Sequence, residues 1–444
     1  MIVVIGGGPA GRLAAMRLAR AGREVTVAER AGLGGQCLHH GCMVVCALAD
    51  VARTLRYAGA LHGLGVLDRP PRVSFPALLA EMGKVQATIT RILDQETGES
   101  GACIARCEGR LEGATPFIDG KPVKAEAVLA ATGSRPVLPD IEGIDLPGVV
   151  HAHTLTAWKD LPPRIAIAGG NVMAAEFAHI FHALGARVTV LARSGFLKDM
   201  DGRLRKQALR ELEGIEILEH SPLLRIAGSG RAEAVICGGK DGERSIPVDG
   251  VFVATGLCPN SGMIEGPEKG PLGEVVVDDH MRTSVPGVYA AGDVTGPPYL
   301  TPVARMEGLV AAENILGGDR CMDYRCIPQS LTLMNEFAWC SLEDGPSAGT
   351  GSPSPAGPFS FWAVPQGNTG WSSIRADPDD GRILSAALAS PGAAIVASYL
   401  AFLIRTGCTV QDFDEFIEVH PTTDGAFALV RYLDEWMKNR KEQG

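Results

Sequence analysis

Three cysteines near the start of the 444-residue chain are the residues best suited to reactive chemistry. Cys37, Cys42 and Cys46 lie close together, and thiols serve as nucleophiles, redox groups and metal ligands. Cys42 and Cys46 are one helical turn apart, so a helix would place both side chains on one face. The chain has 11 cysteines, an odd number, and contains no Cys-x-x-Cys pair. These features argue against an extracellular disulfide framework and weaken a structural zinc site, although a metal site completed by His39 or His40 remains an alternative.

A glycine-rich turn at the N-terminus has the spacing that phosphate binding requires. The β-branched run Ile2–Ile5 predicts a strand, and Gly6, Gly8 and Gly11 follow it in the pattern Gly-x-Gly-x-x-Gly. A helix-forming segment comes next, and a second predicted strand ends at Glu29. In such a unit the glycines permit a tight turn, approach of a pyrophosphate and helix packing, while the acid binds a ribose. The context predicts a dinucleotide site with phosphates at the helix N-terminus, and a bare α/β turn is the alternative.

The same order of strand, turn, helix and strand recurs in the middle of the chain. Two further strands are predicted at Arg164–Ala168 and Arg187–Ala192. Between them lie the turn Gly169-Gly170-Asn171 and the helical segment Val172–Leu184. This repetition predicts two dinucleotide-binding units in one chain.

Composition and charge exclude several classes of protein. Hydrophobic residues make up 46% and charged residues 21%, an ordinary balance for a folded protein. The net charge of −10 makes nucleic acid a poor partner. The longest apolar run, Gly392–Ile404, is shorter than the roughly 20 residues that span a membrane, so it predicts a buried helix and no membrane partner is expected. The chain starts inside its first predicted strand without a signal peptide, which favours a cytoplasmic location.

Four further segments carry expectations about local structure. A helix is predicted over Ser74–Thr97, with Gly98 as its stop, and a second helix over Ala426–Lys438. The low-complexity stretch Asp344–Pro358 predicts a mobile loop. The pattern of Phe359–Val364 predicts a strand.

These motifs resemble those of the class I pyridine nucleotide–disulfide oxidoreductases, flavoproteins with two dinucleotide folds. The resemblance extends over nearly the whole chain, in family order, through the segments GGGPAG, LGGQCLHHGC, ATGSRP, GGNVMAAEF, ATGLCPN, YAAGDV, LTPVA and HPT. It implies an α/β fold with two Rossmann-like dinucleotide-binding domains, for FAD and NAD(P), and a C-terminal α+β dimerisation domain. The expected FAD domain comprises residues 1–150 and 266–325, the NAD(P) domain residues 151–265, and the dimerisation domain residues 326–444.

The resemblance implies that Cys37 and Cys42 form the redox-active disulfide. Cys42 would be the flavin-side thiol and Cys37 the thiol that exchanges with substrate. In the family a lysine forms an ion pair with a glutamate of the second nucleotide unit. The glutamate is matched here by Glu176, but Cys46 stands at the position of the lysine. Loss of this cation is expected to lower the reduction potential of the flavin and to leave Glu176 without its ion pair. Cys46 would tune the flavin or act as a third thiol, or it is a small buried filler.

By the same resemblance the first nucleotide site holds FAD. Asp293 is expected to meet the ribityl chain or the adjacent phosphate, and Thr301 to lie near the flavin ring. The other residues that the resemblance assigns to cofactor binding are Gly35, Thr132, Gly133, Gly256, Gly292 and Ala304.

The second nucleotide site departs from the family pattern. The motif becomes Gly169-x-Asn171-x-x-Ala174, and the Asn171 side chain is expected to project where a pyrophosphate approaches the backbone. An alanine stands at the acidic position that favours NADH, whereas basic positions of members that use NADPH are matched by Arg193 and Lys198. The site therefore favours NADPH over NADH, and a degraded unit kept for packing is the alternative.

His420, in the segment His-Pro-Thr, matches the acid–base residue that reaches the partner subunit's disulfide in the family. The glutamate that orients it there is replaced by Gly425, with Asp424 beside it. The expected protein is a homodimeric enzyme that passes electrons from NADPH or NADH through FAD and the cysteine pair to a small-molecule or protein disulfide, or in reverse. The alternative is a flavin–disulfide enzyme or electron-transfer subunit with a non-nicotinamide donor or a protein partner.

Overall fold

The chain folds as a mixed α/β protein, in a computed structural model that describes residues 1–240, 242–342, 348–353, 361–417, 419 and 425–443. Within these ranges six sheets form, and three of them have five strands. The α/β fold class expected from the sequence is confirmed. None of the helices in the described ranges is long and apolar enough to cross a membrane.

The first large sheet is parallel and is built around the N-terminal strand. Its strands, in spatial order, are Val288–Ala290, Ala127–Ala130, Ile2–Ile5, Val25–Ala28 and Cys103–Ala105. All four residues of the central strand are buried, as expected for a strand that is covered on both faces. Helix Pro9–Arg20 connects two neighbouring parallel strands and packs against helix Thr301–Ile315. The carboxyl ends of these strands therefore open toward the N-termini of both helices.

The second large sheet repeats this arrangement. Its parallel strands, in spatial order, are Glu216–Glu219, Arg187–Ala192, Arg164–Ala168, Gly250–Val253 and Val149–His151. Helix Val172–Ala183 connects the adjacent strands Arg164–Ala168 and Arg187–Ala192, and it packs against helix Cys42–Gly63 of the first unit. This packing brings the second nucleotide unit against the helix that begins at the cysteine motif.

The third large sheet is antiparallel and lies in the C-terminal part of the chain. Its strands, in spatial order, are Gln329–Thr332, Glu336–Ser341, Ile383–Ser390, Trp371–Ala376 and Ala348–Pro353. Helices Ala393–Arg405 and Gly425–Gln443 pack on this sheet and share an apolar core with it. Antiparallel strands with helices on one side are typical of an α+β unit.

Shorter elements complete the described structure. The remaining strands are Leu223–Ala227, Ala234–Cys237, Arg244–Pro247, Ser134–Pro136, Leu257–Pro259, Gly109–Glu112, Thr115–Ile118, Lys121–Pro122 and Ile264–Glu265. The remaining α-helices are Gly35–His39, Phe75–Glu99 and Gly202–Glu211. Short 3₁₀ helices lie at Ala152–Ala157, Asp293–Thr295, Phe361–Gln366 and Gln411–Glu415.

Three local expectations were wrong. Gly98 does not stop its helix, which runs from Phe75 to Glu99, because one internal glycine costs only about 1 kcal/mol. Part of the expected mobile loop, Ala348–Pro353, is an edge strand, where a terminal proline is tolerated, and the rest of Asp344–Pro358 lies outside the described residues. The described part of the expected strand Phe359–Val364 lies in the 3₁₀ helix Phe361–Gln366, whose internal proline lacks the amide hydrogen that a strand ladder needs, and residues 359 and 360 lie outside the described residues.

Candidate active site

Cys37 and Cys42 lie next to each other at the start of two consecutive helices. Cys37 belongs to the short helix Gly35–His39, and Cys42 is the first residue of Cys42–Gly63. Their thiols hydrogen-bond to one another, and Cys42 Sγ lies 3.6 Å from Thr301 Oγ1. All cysteines of the chain are present as free thiols. The pair therefore stands as a reduced dithiol at a helix N-terminus.

Electrostatics favour one negative charge on this pair. The hydrogen bond from Cys42, helped by Thr301 and the positive charge of Arg305, lowers the pKa of Cys37 to about 6 although burial opposes the shift. The same hydrogen bond, together with burial, raises the pKa of Cys42. The two sulfurs thus share one proton near neutral pH, and the helix N-terminus at Cys42 adds partial positive charge. A thiolate of this kind is nucleophilic.

The cysteine pair lines a cavity of about 490 Å³ at the carboxyl edge of the first parallel sheet. The cavity brings together most of the residues predicted for the first nucleotide site, from distant parts of the chain. They are Gly6, Gly8, Glu29, Gly35, Cys37, Cys42, Thr132, Gly133, Gly292, Asp293, Thr301 and Ala304.

The glycine turn at one end of this cavity fits a pyrophosphate. Helix Pro9–Arg20 has Gly8 as its N-cap and no side chain that caps its first amides. A Cβ on Gly8 would have as its nearest neighbour the Cα of Gly35, at 3.9 Å, so backbone is open to approach there. A Cβ on Gly11 would lie 2.0 Å from the carbonyl oxygen of Gly6, so this glycine is required for the helix to meet the strand. Free amides at a helix N-terminus are suited to binding phosphate.

Glu29 and Asp293 provide two carboxylates along the cavity. Glu29 accepts hydrogen bonds of 2.7 Å from the backbone amides of Gly7 and Ala31, which hold it beside the glycine turn. Asp293 accepts a 2.6 Å hydrogen bond from Ser134 Oγ, and burial raises its pKa. Ser134 was not predicted, since 159 residues separate it from Asp293. The donors and acceptors of this cavity fit a dinucleotide such as FAD.

Cys46 and Glu176 lie beside the cysteine pair but do not line the cavity. Cys46 is exposed, as Cys42 is, and its role stays a prediction. Glu176 Oε1 accepts a 3.0 Å hydrogen bond from the amide of Thr332, and in the described part of the chain no cation lies within ion-pair distance of it. Burial raises the pKa of Glu176 to about 8, although the hydrogen bond from Thr332 opposes the shift. The carboxyl is therefore neutral at pH 7.

The second glycine turn differs from the first because its helix carries a side-chain cap. Asn171 Oδ1 accepts a 3.0 Å hydrogen bond from the amide of Ala174, and Asn171 Nδ2 donates a 3.0 Å bond to the carbonyl of Ala254. The side chain thus folds back over the start of helix Val172–Ala183. It occupies an amide that is available in the first turn. The sequence led us to expect that the Asn171 side chain would obstruct a phosphate by its bulk. The structure shows that this side chain also takes up a backbone amide that a phosphate would otherwise bind.

The other residues predicted for the second site surround this turn. Gly169 adopts φ of +148°, and a Cβ there would lie 2.3 Å from the carbonyl oxygen of Ala254. Gly256 follows strand Gly250–Val253 with φ of +120°. Arg193 and Lys198 are exposed after strand Arg187–Ala192, with Lys198 Nζ 3.3 Å from Asp199 Oδ1. Both cations are accessible to a ligand phosphate.

The comparisons with known proteins agree with this geometry. Residues 1–308 match the family model described as pyridine nucleotide-disulphide oxidoreductase. A dihydrolipoyl dehydrogenase of Haemophilus influenzae is 30% identical, over 98% of this chain and 95% of that protein. The chain belongs to the pyridine nucleotide-disulphide oxidoreductase family. A mercuric reductase of Acidithiobacillus ferrooxidans is also 30% identical, over 93% of this chain and 78% of that protein.

A solved structure shows the same fold. The HOCl-induced flavoprotein disulfide reductase RclA from Escherichia coli superimposes with a TM-score of 0.85. It is 22% identical in sequence, and the match covers 97% of this chain and 99% of that chain. The family expected from the sequence motifs is confirmed.

Membership in the pyridine nucleotide-disulphide oxidoreductase family establishes the class of activity. Members bind FAD and NAD(P)H, and the chain is an FAD-containing, NAD(P)H-dependent disulfide oxidoreductase, as expected. Members are typically homodimers that act on disulfides. His420 and Asp424, the predicted acid–base residue and its neighbour, lie outside the described residues.

A pair of stacked histidines in the cavity was not predicted. The rings of His40 and His153 lie 4.3 Å apart, and His153 Nε2 donates a 3.1 Å hydrogen bond to Gln36 Oε1. Burial, followed by the charges of His40 and His151, lowers the pKa of His153 to about 4. His40 has a lowered pKa for similar reasons, so both rings are neutral at pH 7. No group of three metal-ligating side chains suited to an ion occurs in the ranges that the structure describes.

Proposed function

We propose that Cys37 and Cys42 are the redox pair of this oxidoreductase and that NADPH is preferred over NADH. The observation that carries the proposal is the dithiol itself, which shares a proton and contacts Thr301 in the cavity of the first glycine turn. Arg193 and Lys198, exposed after the strand that carries the ribose-binding acid in NADH-specific units, support the preference for NADPH.

In this proposal the glycine turn, Glu29 and Asp293 hold FAD, which supplies electron transfer between the nicotinamide and the cysteines. The Cys37 thiolate attacks a disulfide of the substrate, and a mixed disulfide forms as the first thiolate of the substrate leaves. Cys42 then attacks Cys37, so that the second substrate thiol is released and the protein disulfide forms. Thr301, by its hydrogen bond to Cys42, keeps the attacking sulfur in place.

The same scheme requires an acid that protonates the leaving thiolates, and we assign this role to His420 of a second subunit. Imidazole titrates in the neutral range and can serve both as acid and as base. The chain would thus act as a homodimer with a site shared between subunits. The domains would be residues 1–150 with 266–325 for FAD, 151–265 for NADPH and 326–444 for dimerisation.

The substrate would be a small disulfide, or a dithiol when the reaction runs in reverse. Relatives named dihydrolipoyl dehydrogenase and mercuric reductase match 98% and 93% of this chain. One observation favours a second candidate, in which the electron donor is not a nicotinamide. The Asn171 cap satisfies an amide at the point where the pyrophosphate of NADPH would bind.

The test is Cys37→Ser with Cys103→Ser as matched control, since Cys103 is exposed and remote from the cavity. Reduction of 5,5′-dithiobis(2-nitrobenzoate) and of oxidised lipoamide by NADPH is measured for both variants. Cys37→Ser is expected to lose turnover and retain FAD, whereas Cys103→Ser keeps both. Full activity of Cys37→Ser would overturn the assignment.

A further inference from the structure

A second pair of cysteines lies side by side in the C-terminal part of the chain. Cys340 belongs to strand Glu336–Ser341, and Cys326 lies just before strand Gln329–Thr332. Their exposed fractions are 2% and 4%. The two thiols hydrogen-bond to one another, as Cys37 and Cys42 do. The two sulfurs are therefore near neighbours, which a disulfide between them would require.

Backbone structure explains how the two thiols meet. Along strand Glu336–Ser341, Ala338 and Cys340 face the apolar core shared with helix Ala393–Arg405, whereas Phe337 faces the opposite core. Cys326 adopts φ of +50°, a left-handed conformation that is uncommon for residues other than glycine. The turn at Cys326 places its side chain in the same core as Cys340.

Charges around the pair make Cys326 the more acidic thiol. The hydrogen bond from Cys340, with the nearby Arg405 guanidinium, lowers the pKa of Cys326 although burial opposes it. Arg405 is held in place by Asp323, whose Oδ2 lies 3.0 Å from its Nη2. The same hydrogen bond, in which Cys340 is the donor, and burial raise the pKa of Cys340. Cys326 is thus the nucleophile of the pair, and Cys340 keeps the proton.

Both cysteines line a cavity of about 720 Å³ that is distinct from the FAD cavity. Its wall also includes Leu300, Tyr324 and Trp339. No residue is shared between the linings of the two cavities, but Leu300 directly precedes Thr301, which contacts Cys42. A small molecule can therefore reach the second pair without entering the first site.

We propose that Cys326 and Cys340 are a second redox site, a dithiol that low-molecular-weight disulfides entering this cavity oxidise to a disulfide. The Cys326 thiolate attacks one sulfur of the small disulfide, and the other sulfur leaves as a thiolate. The Cys340 sulfur then displaces the remaining half, and its proton passes to one of the released sulfurs. The dithiol loses two electrons, and the small disulfide is reduced to two thiols. The site requires neither Cys37 nor Cys42.

The test uses the full-length protein with FAD, carrying Cys37→Ser and Cys42→Ser so that the first pair cannot contribute. The reduced protein is exposed to bis(2-hydroxyethyl) disulfide, alkylated in denaturant and digested with trypsin. The peptide from Cys326 to Arg375 contains both cysteines and no internal Lys or Arg. Before exposure it takes up two alkyl groups. After exposure it is expected to take up none and to be lighter than the unmodified dithiol peptide by two hydrogens.

Single variants in the same background separate the roles of the two thiols. Cys340→Ala is expected to trap a hydroxyethyl mixed disulfide on Cys326. In Cys326→Ala, Cys340 is expected to react at least about tenfold more slowly, because burial still raises its pKa and the Arg405 charge that favours a thiolate acts on Cys326. Cys237 is the matched buried control, since it is 1% exposed and its Sγ donates a 3.7 Å hydrogen bond to the carbonyl oxygen of Arg244. We expect Cys237 to remain available for alkylation after the exposure.

Two results would overturn the proposal. One is a peptide that keeps two alkylatable thiols under conditions that fully modify the exposed Cys103. The other is a bridged peptide that forms no faster than Cys237 is modified. The disulfide itself is measured in the protein that keeps both Cys326 and Cys340. Misfolding of one of the single variants therefore does not affect the main test.

Discussion

The capped turn at Asn171 makes a sharp prediction about nucleotide affinity. Asn171→Gly removes the side chain that accepts from the Ala174 amide and donates to the Ala254 carbonyl, both at 3.0 Å. The variant then resembles the first glycine turn, whose helix has Gly8 as N-cap and no side-chain cap. We expect Asn171→Gly to bind NADPH more tightly than the wild-type chain.

The magnitude follows from the amide that is released. A hydrogen bond to a charged group contributes about 1.5–3 kcal/mol, so one recovered amide-to-phosphate bond lowers Kd roughly 10- to 100-fold. The cost in stability is smaller. Replacing an asparagine N-cap by glycine costs a few tenths of a kcal/mol, and loss of the bond to Ala254 about 1 kcal/mol. The variant should therefore fold and retain FAD.

The assay is the NADPH dependence of flavin reduction in the FAD-loaded protein, followed anaerobically by stopped flow. Asn171→Asp is the matched control, since it keeps the acceptor for Ala174 and adds a negative charge that repels the pyrophosphate. We expect Kd to fall for the glycine variant and to rise for the aspartate variant. An unchanged or higher Kd in Asn171→Gly, with normal FAD content, would refute the reasoning that the cap obstructs the site.

Three further predictions follow from the first site. Gly8→Ala should fold normally, because its Cβ has no heavy atom closer than 3.9 Å, but it should lose FAD more readily, since the Cβ occupies the space that a pyrophosphate approaches. Gly11→Ala, with a Cβ 2.0 Å from a backbone oxygen, should lower the free energy of unfolding in urea by about 1–3 kcal/mol. Cys46→Lys should lower the pKa of Glu176 from about 8 and raise the flavin reduction potential, whereas Cys46→Ala should leave both nearly unchanged in dye-coupled potentiometry and pH titration. Thr301→Val should raise the apparent pKa of the reduced dithiol above about 6, so that iodoacetamide alkylation near pH 6 slows; an unchanged pH profile would contradict the role of this hydroxyl.

Local patterns allowed much of the first site to be predicted. The glycine turn follows from steric demands between close neighbours, as the 2.0 Å approach at Gly11 shows. The order of strand, turn and helix predicts that Gly6, Gly8 and Glu29 lie at one edge of a parallel sheet, and all three line the cavity. The family resemblance added Asp293 and Thr301, which come from a much later part of the chain and line the same cavity.

Contacts between distant segments could not be predicted. Ser134 meets Asp293, and His40 stacks on His153, only because two sheets and their helices pack together. The Cys326–Cys340 pair depends on a strand face and on a left-handed turn, neither of which has a clear sequence signal. Such juxtapositions are set by tertiary packing rather than by local preference.

The Asn171 cap is an intermediate case. Asparagine is among the preferred N-cap residues, so its bond to the Ala174 amide could have been anticipated from its place before the helical segment. The sequence-based expectation instead considered only the steric bulk of this side chain at the phosphate position. The structure shows that the side chain also competes for the amide itself.

The central claim is that electrons pass from a nicotinamide through FAD to the Cys37–Cys42 pair. Its most direct test is an anaerobic titration of the purified protein with NADPH and then NADH, followed by the visible spectrum of the flavin. We predict that NADPH bleaches the main flavin band and that a long-wavelength thiolate-to-flavin band appears in the wild-type chain but not in Cys42→Ser. Failure of both nucleotides to reduce a flavin that dithionite reduces would contradict the claim.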